Sequence, residues 1–407
     1  MGAQKQTKAK PIKFDKKLVL NQWVFELFEV SSFEKLSEGL KNPELEGFDA
    51  DNVSKYHHVL KARLFERSQL PADILLAYDQ NIVRHWKRIT EKRNRAGHVL
   101  YPKYFQYIAL LVTEIYLDRH FSNPEQLLAD LNDIVFRFNL EKPKRDQVDT
   151  YELEDLNKIA LWMATGSGKT LLMHVNILQY QHYLSKHNHN KQINRIILLT
   201  PNEGLSHQHK EEFDLSRIYA ELFSKNGRGL FTGKAVEIID IHKLRDEAGD
   251  KTIAVEAFEG NNLVLVDEGH RGSSGKETGQ WLQKREALCE NGFSFEYSAT
   301  FGQAVKASGN KALEQLYAKC ILFDYSYKYF YGDGYGKEYR ILNLSDDSDE
   351  NIRRRYLMAC LLSFYQQQKL YADKKVEFIP FLLERPLWIF VGGSVNAVRT
   401  QKKTKSF

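Results

Sequence analysis

Two short stretches carry residue types that could bind a nucleoside triphosphate and hydrolyse its terminal phosphate. The first is LWMATGSGKT at 161–170, where two glycines precede Lys169 and Thr170. Glycines let backbone N–H groups wrap a phosphate, and a helix that begins there adds a partial positive charge. Lys169 would reach the β- and γ-phosphates, and the Thr170 hydroxyl would bind Mg²⁺. The predicted ATP-binding loop consists of Thr165, Gly166, Ser167, Gly168, Lys169 and Thr170.

The second stretch, LVLVDEGHRG at 263–272, places two acids after a run of aliphatic residues. Carboxylates at the carboxyl end of a parallel strand face the same crevice as a phosphate-binding loop. We expect Asp267 to hold Mg²⁺ through its water shell, and Glu268 to orient and deprotonate the attacking water. Two adjacent acids are more often a solvated turn, but the strand before them and the loop upstream favour the catalytic interpretation.

Short apolar runs alternate with helical segments from residue 158 onwards, which predicts the elements that position these groups. Near-continuous apolar runs of this length are typical of parallel strands that are covered on both faces. The predicted strands are KIALWM (158–163), RIILLT (195–200), AVEIIDI (235–241), LVLVD (263–267) and FSFEYSAT (293–300). Met163 stands where the usual loop motif begins with glycine. The predicted fold class is α/β, a parallel sheet with helices on both faces.

Taken together, the motifs resemble those of superfamily 2 helicases and translocases of the DExH type. DEGH at 267–270 is followed by SAT at 298–300, and MATGSGKT, LLTPNEGLSHQH and YSATFG fit the same pattern. Over residues 100–395 the chain most resembles the helicase (Res) subunit of type III restriction enzymes and related DEAD/DEAH-box proteins. The resemblance implies a RecA-like P-loop NTPase domain that binds ATP and Mg²⁺ and acts on nucleic acid, on DNA rather than RNA.

The same resemblance implies roles for residues outside the two stretches. His270 is expected to hydrogen-bond toward Ser298 or Thr300 and so to couple the ATP site to the nucleic-acid surface; a plain core histidine is the alternative. Gln106 resembles the glutamine that reads the adenine edge, since an amide can donate and accept at once. An ordinary glutamine on a helix surface is the alternative for Gln106.

Nucleic-acid contacts are expected after two of the strands. Thr200, Pro201 and the helix start that follows would offer backbone amides and a hydroxyl to phosphate oxygens, although a simple turn is also compatible. His242 and Lys243 lie where a second contact with the nucleic-acid backbone would fall. The tyrosine-rich run at 325–342 could stack bases, or it could form a packed strand with a hinge.

Five segments are predicted along the chain: a basic arm (1–17), a helical accessory domain (18–98), a first RecA-like domain (99–344), a linker with a helix (345–384) and the first strand of a second RecA-like domain (385–407). In superfamily 2 enzymes the second domain supplies arginines that stabilise charge on the γ-phosphate, an effect of roughly 10³ to 10⁵ in rate. We therefore expect a C-terminally truncated chain that binds Mg-ATP but turns it over weakly alone.

Composition sets the broad class. The 407 residues are 43% hydrophobic and 27% charged, and the formal net charge of +5 permits a polyanionic partner without requiring one. No apolar run reaches the roughly 18 residues that cross a bilayer, and the three cysteines lie far apart without a CxxC pair. We expect a cytoplasmic protein with no membrane partner, disulfide framework or zinc site.

Two functions remain open on the sequence. One is an ATP-driven DNA helicase or translocase motor of a type III restriction-like or antiphage system, for which a modification methyltransferase subunit is a candidate partner. The other is a non-catalytic, ATP-gated nucleic-acid-binding module, or an ATPase of the RNA-helicase kind. Intact motifs favour the motor, and the abrupt end of the sequence favours the module.

Overall fold

The computed structural model describes residues 11–64, 70–95, 97, 99–187, 193–223, 235–245, 253–254, 258, 260–269, 278–336, 349–379 and 383–389. The chain divides into two compact units, residues 1–337 and 338–407. In these described ranges, no helix combines the length and the apolar character needed to cross a membrane.

The first unit is built on a seven-stranded sheet in which every neighbouring pair of strands is parallel. Strands in the described residues are β1 (Lys158–Met163), β2 (Arg195–Thr200), β3 (Ala220–Leu222), β4 (Val236–Asp240), β5 (Leu244–Arg245), β6 (Ile253–Ala254), β7 (Asn262–Asp267), β8 (Phe293–Ser298) and β9 (Ile321–Tyr325). The large sheet has the order β3-β4-β2-β7-β8-β1-β9, and β5 and β6 form a separate parallel pair. The prediction of a parallel α/β sheet of the RecA-like kind is confirmed.

Helices cover both faces of this sheet, as the alternation along β1 illustrates. Ile159, Leu161 and Met163 pack into the largest hydrophobic core, whereas Ala160 and Trp162 face a second core on the opposite side. The helices of the first unit are α1 (Val19–Leu27), α2 (Phe33–Leu36), α3 (Lys55–Arg63), α4 (Ala72–Asn94), α5 (Tyr104–Ser122), α6 (Pro124–Asn139), α7 (Lys169–Lys186), α8 (Glu203–Leu215), α9 (Thr278–Leu288), α10 (Phe301–Ser308), α11 (Lys311–Cys320) and α12 (Tyr327–Gly332).

The N-terminal helices share the largest core with the sheet. Trp23 of α1, Trp86 of α4 and Ile159 of β1 all belong to this one cluster. Every residue of α5 from Tyr104 to Leu117 is buried, which is typical of a helix packed on all sides. The helical accessory domain predicted over 18–98 stays a prediction. The described helices of this range pack with the sheet in one continuous core.

The region after α11 differs from the predicted pattern. Strand β9 was not predicted, and Tyr327–Gly332 of the tyrosine-rich run form the helix α12 rather than a strand. Tyr325 ends β9 and stacks on Phe105 with ring centroids 4.1 Å apart, so part of the run packs into the core as expected. Residues 337–342 of the run lie outside the described residues.

The second unit contains α13 (Glu350–Asp373) and α14 (Lys375–Phe378). A strand was predicted over 385–395, but residues 385–389 have no regular secondary structure. A strand needs a neighbour to complete its hydrogen bonds, and the described residues of this unit otherwise form helices. Residues 390–395 of the predicted strand lie outside the described residues.

Candidate nucleotide-binding site

Three strands of the sheet end side by side at one edge. Asp267, the last residue of β7, pairs with Tyr297 of β8, and Ser298 pairs with Trp162 of β1. The three strands therefore end within one residue of each other. Three segments leave the sheet at this edge: the loop after Met163, the two acids, and Ser298–Thr300. The structure therefore brings together residue groups that are far apart in the sequence.

The loop between β1 and α7 has the backbone of an anion-binding turn. Gly166 and Gly168 have φ angles of 86° and 83°, in the left-handed region that favours glycine. Gly168 caps α7, and a Cβ on it would overlap the side-chain amide of Gln106. The Ser167 hydroxyl is buried and has no hydrogen-bond partner among the described residues. Such a turn at a helix start fits a bound phosphate chain.

Lys169 begins α7 and lies within electrostatic reach of both acids. Its Nζ is 3.4 Å from the carbonyl oxygens of Met163 and Ala164. Burial lowers the pKa of Lys169, whereas the negative charges of Glu268 and Asp267 raise it, and the net result is a pKa below its ordinary value. The residue after Lys169, Thr170, is half-buried in the first turn of α7.

Asp267 is fixed by a hydrogen bond at each carboxylate oxygen. His209 of α8 places its Nε2 2.9 Å from Oδ2, and the backbone N–H of Glu268 donates to Oδ1 at 3.0 Å. Burial alone would raise the pKa of Asp267, but the hydrogen bond from His209 and the charges of His209 and Lys169 outweigh it and lower the pKa. Asp267 is therefore ionised at neutral pH, as a carboxylate that holds Mg²⁺ must be.

Glu268 occupies an unfavourable backbone conformation. Its φ of 55° lies in the left-handed region, which costs a residue other than glycine about 1–3 kcal/mol and persists only where the surroundings hold it. The next residue supplies that restraint, since the Gly269 N–H donates to the Tyr297 carbonyl at 3.0 Å. The turn after β7 is thus tied to β8.

A buried polar cluster holds the same turn from the other side. The carbonyl oxygen of Gly269 accepts from Arg285 Nη1 at 2.8 Å and lies 3.1 Å from the Tyr317 hydroxyl. Glu296 of β8 lies 3.4 Å from Arg285 Nη1 and 2.9 Å from the Tyr317 hydroxyl. We call Arg285, Glu296 and Tyr317 the turn clamp. No role was predicted for these residues or for His209. The available signals were Glu296, a charge within the apolar run FSFEYS, and the position of His209 at the end of LLTPNEGLSHQH.

The segment after β8 is ordered by local contacts. The backbone N–H of Thr300 donates to Ser298 Oγ at 3.0 Å, and Trp162 Nε1 donates to the Ala299 carbonyl at 3.1 Å. The hydroxyl of Thr300 is buried and has no hydrogen-bond partner among the described residues. His270 lies outside the described residues, so its contact with Ser298 or Thr300 stays a prediction.

Gln106 lies directly against the loop. Its Nε2 donates to the Ser167 carbonyl at 2.8 Å, and its Oε1 accepts from the backbone N–H of Lys103 at 2.9 Å. Both ends of the buried amide are therefore engaged by the protein, which makes Gln106 a support for the loop. The predicted reading of the adenine edge remains untested.

The four residues predicted to touch nucleic acid lie at the same edge as the strand ends. Thr200 and Pro201 are buried, and the Thr200 hydroxyl lies 2.7 Å from that of Ser206 in α8. His242 is exposed, and Lys243 Nζ is 3.4 Å from a Glu203 carboxylate oxygen. His242 and Lys243 are therefore more accessible to solvent than Thr200 and Pro201. Nucleic-acid contact by any of the four residues remains a prediction.

The donor set fits a magnesium ion that takes most of its ligands from phosphates and water. Thr170 offers a hydroxyl ligand and Asp267 a carboxylate for the water shell of the ion. Within the described ranges no group of three or more His, Cys, Asp or Glu side chains could hold a metal ion. Mg²⁺ in nucleotide sites is commonly bound through one or two protein oxygens plus phosphates. Such a site therefore requires only one or two ligands from the protein.

A cavity of about 520 Å³ lies at the opposite end of β1. Its lining includes Lys158, the first residue of β1, together with Cys289 and Cys320. None of the predicted site residues lines it. The chemistry predicted from the motifs is therefore placed at the carboxyl edge of the sheet and not in this cavity.

Comparison with known families agrees with the motifs. Residues 123–303 match the family described as type III restriction enzyme, res subunit. This segment includes Lys169, Asp267, Glu268 and the Ser298–Thr300 segment but begins after Gln106. The resemblance to the res subunit of type III restriction enzymes is thereby confirmed over that segment.

Two solved structures are similar to part of the chain. The crystal structure of T4 UvsW is 17% identical, with a TM-score of 0.29, over 42% of this chain and 32% of that chain. The Sulfolobus solfataricus SWI2/SNF2 ATPase core in complex with dsDNA is 13% identical, with a TM-score of 0.25, over 40% of this chain and 31% of that chain. The match thus spans about a third of each of those chains. No curated protein matches the chain.

Proposed function

We propose that this chain is the ATP-dependent motor of a DNA helicase or translocase, in which ATP binding and hydrolysis are coupled to nucleic-acid binding. The observation that carries the proposal is the convergence of Lys169 with Asp267 and Glu268. The charges of these three side chains interact, although β8 separates the strands that position them. In P-loop NTPases a lysine contacts the β- and γ-phosphates of the nucleoside triphosphate, and an acid at a strand end holds the magnesium ion bound to them.

Each residue then has a definite task. The backbone N–H groups of Thr165, Gly166 and Gly168 wrap the phosphates, since that of Ser167 donates to the Ala164 carbonyl, and Lys169 neutralises charge on the β- and γ-phosphates. Thr170 and Asp267 hold Mg²⁺, which when bound neutralises charge that develops on the phosphate oxygens. Glu268 orients the attacking water and takes its proton.

Rigid support at Glu268 suits a general base. A general base must lie within hydrogen-bond reach of the proton that it removes, so its direction matters as much as its acidity. The left-handed backbone of Glu268, the Gly269 bond to β8 and the turn clamp together hold that direction. Because these restraints come from the protein itself, little reorganisation is needed when ATP binds.

Nucleic acid is proposed to bind along the same edge. Thr200, Pro201, His242 and Lys243 would contact the sugar-phosphate backbone, which positions the strand without reading its sequence. Ser298, Thr300 and His270 would connect that surface to the ATP site. DNA is the proposed polymer because the matching family is a restriction-enzyme subunit. By the same reasoning we propose a restriction-like or antiphage complex with a methyltransferase subunit as partner.

ATPase assays with three polymers test the proposal. We would measure phosphate release alone and with single-stranded DNA, double-stranded DNA or single-stranded RNA. DNA should stimulate turnover more than RNA. Glu268→Gln should bind ATP normally but lose turnover by about 10²- to 10⁴-fold. Lys169→Ala should lose ATP binding itself.

Matched controls come from exposed residues of the same types. Glu211→Gln on α8 and Lys306→Ala on α10 should leave binding and turnover unchanged, because both side chains are exposed to solvent. Normal turnover in Glu268→Gln would remove the proposed catalytic role. ATP binding without any DNA-stimulated turnover in the wild type would instead support a non-catalytic nucleic-acid-binding module.

A further inference from the structure

His209 makes a buried contact with the acid proposed to hold magnesium. Its Nε2 lies 2.9 Å from Asp267 Oδ2, and the two side chains are only 6% and 13% exposed. An ionised carboxylate can only accept hydrogen bonds, so His209 is the donor. Nδ1 of the same ring is also buried and has no hydrogen-bond partner among the described residues. The contact to Asp267 is thus the one hydrogen bond that orients this ring in the described part of the chain.

The hydrogen bond from His209 leaves acceptor sites on Asp267 free. A carboxylate has about four lone-pair sites. His209 takes one on Oδ2 and the Glu268 N–H takes one on Oδ1, so each oxygen keeps a further site. With both oxygens held from the protein side, rotation of the carboxylate about its Cβ–Cγ bond is restricted. The remaining sites therefore point in a fixed direction.

The helix that carries His209 is itself firmly anchored. The Asn202 side chain caps α8 by accepting from the Leu205 N–H at 2.9 Å. Near the end of α8, Phe213 stacks on His174 of α7 with ring centroids 4.1 Å apart. Arg93 of α4 donates to the Glu212 carbonyl at 3.2 Å. Because α8 is fixed at its start and near its end, the imidazole is held by a rigid element.

We propose that His209 is a positioning residue that aims the Asp267 carboxylate at the water shell of nucleotide-bound Mg²⁺. This inference rests on the proposed function, since it assumes that Asp267 meets a magnesium ion. Partners that hydrogen-bond to the direct ligands of a metal orient those ligands, and their loss costs about 10- to 100-fold in metal affinity. Asp267 meets the ion through water, so His209 lies one shell further out and the lower end of this range applies. Without His209, the carboxylate would rotate and the gain in nucleotide affinity that Mg²⁺ provides would fall.

The test measures binding rather than turnover. The full chain is titrated with mant-AMPPNP, a fluorescent analogue that is not hydrolysed, first in EDTA and then at rising MgCl₂. His209→Leu keeps the bulk of the ring but removes the donor. We expect its nucleotide affinity in EDTA to match the wild type, and its half-saturating Mg²⁺ concentration to rise about 10-fold.

Two further variants separate positioning from packing. The amide nitrogen of glutamine can replace the imidazole Nε2 as donor, so His209→Gln should restore the wild-type Mg²⁺ dependence to within about threefold, since an outer partner of this kind acts through its hydrogen bond. His207→Leu lies on the same helix and is exposed, so it should change nothing. If His209→Leu does not fold, His209→Asn takes its place in the comparison with His209→Gln. The asparagine side chain is polar but too short to reach Asp267.

The outcomes are distinct. A folded His209→Leu or His209→Asn with wild-type Mg²⁺ dependence overturns the inference, and so does a His209→Gln that is as impaired as the variant without the donor. Failure of the proposed function looks different: the wild type would show no Mg²⁺-dependent nucleotide binding, and Lys169→Ala would behave like the wild type.

Discussion

The side chain of Gln106 packs directly onto the backbone of Gly168. Gln106 belongs to α5 and Gly168 caps α7, so a helix that precedes the sheet in sequence braces the loop that follows β1. A Cβ on Gly168 would overlap Gln106 Nε2. The amide and the glycine therefore fit each other, and a change in either should disturb the loop.

Gly168→Ala should abolish nucleotide binding and lower stability. The left-handed φ of 83° is unfavourable for alanine, and the new methyl group would push Gln106 away from Ser167. We expect a loss of about 1–3 kcal/mol in the free energy of unfolding from the backbone conformation alone. Urea denaturation and mant-AMPPNP binding would measure the two effects.

Gly309→Ala is the matched control for that experiment. Gly309 has a φ of 58°, and nothing lies within 4 Å of the position of an added Cβ. It should lose about 1–2 kcal/mol for the left-handed backbone but bind nucleotide normally. Equal nucleotide affinities in the two variants would mean that the fit between Gln106 and Gly168 is irrelevant to binding.

Gln106→Ala should weaken ATP and GTP binding by the same factor. Both ends of the amide are already bonded, to the Ser167 carbonyl and the Lys103 N–H, so the variant loses support of the loop rather than recognition of a base. The lost hydrogen bond to the Ser167 carbonyl, which supports the loop directly, costs about 0.5–1.5 kcal/mol and predicts a loss of about twofold to tenfold in affinity. A selective loss of ATP binding would instead support adenine reading by Gln106.

Arg285→Met should destabilise the protein strongly. Removing the guanidinium leaves the buried Glu296 carboxylate with the Tyr317 hydroxyl and, 3.9 Å away, the Lys158 ammonium. Lys158 should keep the loss at the lower end of the range for a broken buried pair. Breaking a buried ion pair from one side costs about 3–5 kcal/mol. Arg95→Met, which breaks an exposed ion pair with Glu91, should change the unfolding free energy by less than about 1 kcal/mol. Urea titrations of both variants make the comparison, and equal losses would refute the role of the turn clamp.

The buried carboxyl group of Glu114 predicts a pH-dependent stability. Burial raises its pKa to about 7, although hydrogen bonds from Tyr183, Asn81 and Gln179 act to lower it. The folded protein therefore holds a proton between pH 4.5 and 7 that the unfolded chain releases. Its contribution to stability is present at low pH and is lost as the pH rises toward 7.

Glu114→Gln should remove this pH dependence. Relative to the variant, the wild type should lose on the order of 3 kcal/mol of unfolding free energy between about pH 4.5 and 7. Glu211→Gln, which changes an exposed acid, should track the wild type at every pH. If the unfolding free energies of wild type and Glu114→Gln changed by the same amount between pH 4.5 and 7, the prediction would be contradicted.

The sheet was predictable where apolar runs were long and bounded. β1 and β2 have the predicted limits, because each is a continuous apolar run that ends at a loop. β9 was missed because ILFDY follows α11 without a turn residue. β3 has only three residues, too few for a pattern.

At the site, sequence predicted which groups converge but not what holds them. The strand-end rule brings Lys169 and Asp267 together from their positions after two parallel strands. The roles of His209 and Arg285 were not predictable, although His209 ends the quoted motif LLTPNEGLSHQH, because their contacts join helices to a turn that is distant in sequence. Such contacts depend on packing angles that one sequence does not reveal.

The position of β8 between β1 and β7 has a mechanical consequence. The carboxyl ends of β1 and β7, which position the lysine and the acids, are separated by two inter-strand spacings, about 10 Å. Backbone hydrogen bonds, rather than side-chain volume, set this width. A smaller core side chain would weaken the whole sheet before it altered this width. Substitutions that abolish nucleotide binding or hydrolysis without lowering stability should therefore lie in the loops that follow the strands and in the residues that support those loops.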